Sequence, residues 1–136
     1  MMNEIIGENN FYYYSLILWI GLSVITFIFL IIFKPKTYGR HVRKDKLSIN
    51  NRLGWFLMEL PTVILMPYFF FTGSSDYNLV TLSFIILYMI HYINRVFVFP
   101  LRIRTKGKAI PISIVLSAII FNICNTYFIA YYFGNL

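Results

Sequence analysis

The chain predicts an all-α fold, a polytopic bundle of transmembrane helices. Three observations carry that reading. Of 136 residues, 59% are hydrophobic and 12% charged, where a soluble domain is about a quarter charged. Fourteen Phe and eleven Tyr are more than the core of so short a chain can hide. Four apolar segments, each near the roughly 20 residues needed to cross a bilayer, alternate with loops of opposite charge.

Segment one runs over about 11–33 without a charge. Glu4 and Glu8 precede it in place of a basic start, and no small-residue cleavage site follows, so it reads as a retained helix, not a secretory signal. Segment two, about 53–71, carries Glu59, Pro61 and Pro67. Prolines are tolerated in a membrane where neighbours satisfy the freed carbonyls, and Pro61 marks a place for a kink beside Glu59. Segment three, about 79–101, carries His91, Arg95 and Pro100; segment four, about 109–133, carries Asn122 and Asn125.

The loops set the orientation. Seven Lys and Arg lie between Lys34 and Arg52, and four between Arg102 and Lys108. The N-terminus and the Thr72–Asn78 link carry acids and no Lys or Arg. Positive-inside counting puts loops 34–52 and 102–108 in the cytosol and the N-terminus on the opposite side.

The formal net charge of +7 is concentrated in those loops, which argues against nucleic acid as a partner. Cys124 is the single cysteine, which excludes an internal disulfide. His41 and His91 are the only histidines and lie in different regions, so no metal site is expected. No Ser–His–Asp order and no glycine-rich phosphate loop is present.

Charges inside apolar segments are costly and usually mark a functional interior. Glu59 lies roughly 9 Å below the start of segment two, and Arg95 roughly 9 Å above the end of segment three, which runs the other way. The two groups therefore share a level. His91 and Arg95 stand at i and i+4, as do Tyr88 and Tyr92, and such pairs share a helix face. The plainer alternatives are that Arg95 snorkels to headgroups, that Glu59 is its structural partner, and that the two asparagines bind helices together.

These residues also carry a resemblance. Gly54-Trp55-Phe56-Leu57-Met58-Glu59-Leu60-Pro61 is similar to a block of the steroid 5-alpha-reductases. His91-Tyr92-Ile93-Asn94-Arg95-Val96-Phe97-Val98-Phe99-Pro100 resembles their His-Tyr-x-x-Arg-x-Phe-x-x-Pro block. Tyr38-Gly39-Arg40-His41 matches a Tyr-Gly-Arg motif, and Cys124-Asn125-Thr126-Tyr127 is similar to Cys-Asn-Gly-Tyr.

The resemblance implies the N-terminal part of a seven-span enzyme of the endoplasmic reticulum membrane. Such an enzyme uses NADPH to reduce the 4,5 double bond of a 3-oxo-4-ene steroid or sterol intermediate. Glu59 and Tyr92 would hold the 3-oxo group as catalytic residues, a protonated Glu59 and the Tyr92 hydroxyl each donating a hydrogen bond. If Glu59 pairs directly with Arg95, Tyr92 carries more of that role. Trp55, Met58 and His91 would contact the steroid; Arg95, Arg104 and Asn125 would contact the cofactor.

Met58 stands where mammalian members commonly have Gln and agrees with plant-like members. Thr126 replaces the glycine of the Asn-Gly pair. Helices five to seven, with most NADPH-binding residues, have no counterpart here, so the chain alone is expected to lack reductase activity. A noncatalytic lipid-binding or scaffold protein, and the enoyl-CoA or polyprenol reductase branch, are the competing expectations.

Overall fold

The computed structural model describes residues 2–33, 47–104 and 107–135, with residues 2–9 through the backbone alone. The Tyr38-Gly39-Arg40-His41 motif and most of the first basic loop lie outside these residues. Among the described residues four helices are long and apolar enough to cross a membrane, as the composition requires. The chain divides into two compact units, Met1–Val42 and Arg43–Leu136.

The first unit is helix α1 (Met2–Phe33). Its apolar stretch, Asn10–Phe33, meets the length for a span. Three hydroxyls inside it turn back onto the chain: Ser15 donates to the Phe11 carbonyl, Ser23 to Trp19 at 2.9 Å and Thr26 to Leu22 at 2.8 Å. Each bond runs to the carbonyl one turn earlier, the usual way a helix satisfies a hydroxyl that lacks water.

The second unit opens with a feature the segment pattern did not predict. Strand β1 (Ser48–Asn50) pairs antiparallel with β2 (Ala109–Pro111), in the register Ser48↔Pro111, Ile49↔Ile110 and Asn50↔Ala109. The fourth apolar segment, about 109–133, begins with strand β2, and helix α5 covers Ile112–Asn135. Pro111 explains the extended start: the residue before a proline is pushed out of the α region, so 109–111 stay extended. The Asn51 N–H donates to the Lys108 carbonyl at 3.2 Å and that of Ile112 to Leu47 at 3.1 Å, extending the ribbon at both ends.

Helix α2 (Asn51–Phe71) leaves the ribbon through Asn50, whose side chain accepts from the N–H of Arg52 at 2.9 Å. Asn50→Ala is expected to cost about 1 kcal/mol, the usual worth of an N-cap, read as a lower midpoint of thermal unfolding in bilayer nanodiscs. The helix runs on through Pro61 and Pro67.

Both α2 and α5 start at the ribbon and run the same way. Met58 meets Asn122 through a hydrogen bond, and a Cβ on Gly134 would lie 2.8 Å from the Phe70 carbonyl. Since 122 − 58 and 134 − 70 both equal 64, one register holds from end to end. Between these rungs the same offset sets Thr62 opposite Thr126 and Met66 opposite Ala130, all buried. Buried positions four apart on both helices make this a continuous seam.

The far end is a clasp. Gly73 sits against Gly134, Ser75 N–H donates to the Gly134 carbonyl at 2.9 Å, and Ser74 N–H donates to Asn135 Oδ1 at 3.2 Å. Small residues let membrane helices approach this closely.

Helix α3 (Leu79–Ile93) runs back towards the ribbon end. Asn78 and Thr81 cap it reciprocally, each side chain accepting from the other's backbone. One π-helical turn, Asn94–Val98, follows, and α4 (Phe99–Arg102) completes the segment. In that turn the Phe99 N–H reaches back five residues to the Asn94 carbonyl, and Pro100, with no N–H, cannot restore the regular ladder.

Two apolar clusters result. Met66, Phe70, Ile85 and Ala130 lie towards the clasp; Met58, Ile110 and Val115 lie towards the ribbon. The polar groups occupy the level between them.

Candidate functional site

Glu59 is the centre of that level and is buried. Arg95 Nε donates to its Oε1 at 2.5 Å. Asn122 Nδ2 lies 3.3 Å from its Oε2 and donates to the Met58 carbonyl at 2.7 Å. One carboxylate thus ties the turn after α3 to α2 and to α5. Of the plain alternatives, the structure displays two: Glu59 pairs with Arg95, and Asn122 bridges helices. Equal depth at fixed helical rise brought the first pair together.

The π turn decides how Arg95 is presented. An extra residue in one turn shifts the register of the side chains beyond it, and such turns recur at functional sites. The Arg95 guanidinium lies over the Trp55 ring, 5.2 Å from its centroid, a geometry that favours a cation. Trp55 is itself braced edge-on by Phe99, with centroids 5.0 Å apart. The Arg95 side chain remains 42% exposed against 7% for Glu59. Its Nε is engaged with Glu59, and the residue also lines a cleft of about 330 Å³ together with Ile90, His91, Asn94 and Phe99.

The sequence-derived candidates separate into groups. His91 and Arg95 share the cleft, as their i, i+4 spacing suggested. Tyr92 is half-buried, its ring 5.1 Å from that of His91 and 4.5 Å from that of Tyr88. Met58 is buried in the seam and meets the site through its backbone carbonyl. Arg104 is exposed beyond α4, and Asn125 is half-buried on α5. Neither lines the cleft.

A volume of about 330 Å³ lies near the lower bound of roughly 300 Å³ for small-molecule sites. It suits one ring system or a headgroup. Arg95 is the single cation on its lining, and that cation is already paired with Glu59. These residues do not make a site for a whole dinucleotide. Among the described residues no three His, Cys, Asp or Glu gather as metal ligands.

Spacing set Tyr88 on the face of Tyr92, but it did not reveal Asn122 as the second partner of Glu59, nor the buried hydroxyls of Thr62 and Thr126 one turn further in. The signal present for the threonines was their i, i+3 and i, i+4 distance from Glu59 and Asn122.

Comparison with known proteins decides the relationship. The chain is 36% identical over 125 residues to a steroid 5-alpha-reductase of Gossypium hirsutum, covering 89% of this chain and 48% of that protein. To the steroid 5-alpha-reductase of Arabidopsis thaliana it is 32% identical over 130 residues, 91% of this chain and 49% of the relative. The chain belongs to the steroid 5-alpha-reductase family. Similarity extends to 3-oxo-5-alpha-steroid 4-dehydrogenase 1 of Homo sapiens, 30% over 104 residues, 72% of this chain and 39% of the relative. The chain spans about half the length of the curated relatives it matches, corresponding to their N-terminal half. No family model matches it.

Proposed function

We propose that this chain carries the steroid-oxygen end of a reductase of the endoplasmic reticulum membrane, acting on a 3-oxo-4-ene steroid or sterol intermediate. The observation that supports this best is the buried Glu59, held by Arg95 and Asn122, inside the two sequence blocks that resemble the family. Positive-inside counting places the ribbon end, and with it the cleft, at the cytosolic leaflet.

Reduction of an enone drives negative charge onto its carbonyl oxygen, and donors aimed there stabilise the developing charge. Glu59 already accepts from two directions, so its role is to anchor Arg95. The donors to a steroid oxygen are then the Tyr92 hydroxyl and the terminal N–H groups of Arg95. Tyr92 takes the larger share, as the direct pairing of Glu59 with Arg95 requires. NADPH supplies hydride in the family's reaction; the residues described here account for the oxygen end alone.

The test is binding in phosphatidylcholine nanodiscs, followed by Trp55 fluorescence in a Trp19→Phe background. Progesterone should bind at least about tenfold more tightly than its 3-deoxy analogue, a difference of ~1.4 kcal/mol. Tyr92→Phe and Glu59→Gln should each erase most of that preference. Equal binding of the two steroids removes the proposed oxygen site. Joining residues 1–136 to the remaining half of the Gossypium relative then tests the reaction: steroid-dependent NADPH loss should appear and fall sharply with Glu59→Gln.

A further inference from the structure

One turn beyond Glu59, Tyr92 and Asn122 lies a second polar level that the reading above does not use. Thr62 follows Glu59 by three residues, Thr126 follows Asn122 by four, and Tyr88 precedes Tyr92 by four. Thr62 and Thr126 are fully buried at 0% exposure. The register of the α2–α5 seam sets these two threonines opposite each other, between the rungs at Met58–Asn122 and Phe70–Gly134. The Tyr88 hydroxyl reaches the same level from α3 and interacts with Thr126 and Tyr92. By distance and angle none of the three buried hydroxyls has a well-formed partner, although Tyr88 lies close enough to Thr126 and Tyr92 for weak bonding.

That is unusual here. Ser23, Thr26, Thr72 and Ser83 each donate to the carbonyl four residues earlier, and Ser117 to that three earlier. Those hydroxyls are all on the exposed side of their helices. The two threonines in the driest place do not do the same. For Thr62 the reason is visible: the carbonyl four residues earlier is that of Met58, already taken by Asn122 Nδ2 at 2.7 Å. Buried polar atoms in folded proteins nearly always find a partner, from protein or from a bound molecule.

We propose that Thr62, Tyr88 and Thr126 form a hydrogen-bonding site for one uncharged oxygen that both donates and accepts, a water or the hydroxyl of a lipid. Three hydroxyls from three helices can each give or take a bond, which suits such an oxygen. Among the described residues the charge that acts on this level, Glu59, is already paired with Arg95, which leaves nothing to favour an ion. The site is independent of the steroid-oxygen site next to it, so either can fail alone.

The test uses the 136-residue chain in phosphatidylcholine nanodiscs. Thr62→Val and Thr126→Val keep the side-chain shape and delete the hydroxyl; Tyr88→Phe deletes the third. A hydroxyl with nothing to bond is better replaced by a methyl, so an empty site predicts unchanged or raised thermal midpoints. A site that holds an oxygen predicts a fall of several degrees for each variant. It also predicts that Thr62→Val with Tyr88→Phe, two side chains with no direct bond between them, falls by clearly less than the two single changes added, since both lose the same bound oxygen.

Cholesterol and cholestane at equal mole fraction then separate the sources. If a lipid hydroxyl occupies the site, cholesterol raises the midpoint of the wild type, cholestane does not, and Thr62→Val abolishes the difference. If water occupies it, the two lipids act alike while the variants still fall non-additively. Midpoints of the variants at or above wild type, or strictly additive losses, overturn the proposal.

Discussion

Arg95→Leu is expected to destabilise the Arg43–Leu136 unit by about 3 kcal/mol, near the lower bound for breaking a buried ion pair from one side. The change leaves Glu59, 7% exposed in its side chain, with Asn122 as its one remaining donor. The opposite change is predicted to be milder. Glu59→Leu strands a guanidinium that is 42% exposed and can turn its long stem towards the headgroups. Screening at such a site reduces what the lost partner was worth, so about half the cost of Arg95→Leu is expected. With both residues changed to Leu, no charge is left unpaired, and the loss should be smaller than that of Arg95→Leu alone. Reversible unfolding in nanodiscs measures all three. Single-variant losses that add to within about 0.5 kcal/mol of the double would mean that the two side chains do not stabilise each other.

That asymmetry follows from burial, which the sequence does not carry, whereas the pairing itself was readable. Glu59 and Arg95 lie at matching distances from the ends of oppositely running segments, and the rise of a helix is fixed. Hydropathy likewise marked four spans, and i, i+4 spacing set His91 beside Arg95. What could not be read is whatever depends on how two distant helices turn towards each other. Asn122 finds Glu59 because α2 and α5 run parallel at an offset of 64 residues, and no local pattern specifies that number. The ribbon at Ser48–Asn50 and Ala109–Pro111 was missed for a different reason: three apolar residues before a helix look like more helix until the proline is weighed. The π turn hides in a continuous apolar run, its one trace being Pro100, and it governs where the Arg95 side chain goes.

Gly73→Ala is the second large effect, and it operates just beyond the far end of the seam, where the chain leaving α2 meets Gly134. A Cβ at Gly73 would overlap the backbone carbonyl of Gly134. A flexible side chain could step aside; a helix backbone can do so only by moving the whole end of α5 away from α2. Overpacking of this kind costs about 1–3 kcal/mol, and the upper part of that range is expected because the clasp bonds from Ser74 and Ser75 break with it. The mechanism is contact, not backbone conformation, because Gly107 is the one glycine with positive φ among the described residues. Gly21 provides the control. Nothing lies within 4 Å of a Cβ there, so Gly21→Ala should stabilise α1 slightly, by up to about 1 kcal/mol. Because Met66 and Phe70 lie between the clasp and the Thr62–Thr126 rung, opening the clasp should also admit solvent to that level. Amide exchange at Thr126 and Ala130 would then speed up in Gly73→Ala while exchange at Val115, near the ribbon, stays as in the wild type. Equal acceleration at both ends would mean that the seam yields as one rigid unit and that the glycine contact has no local role.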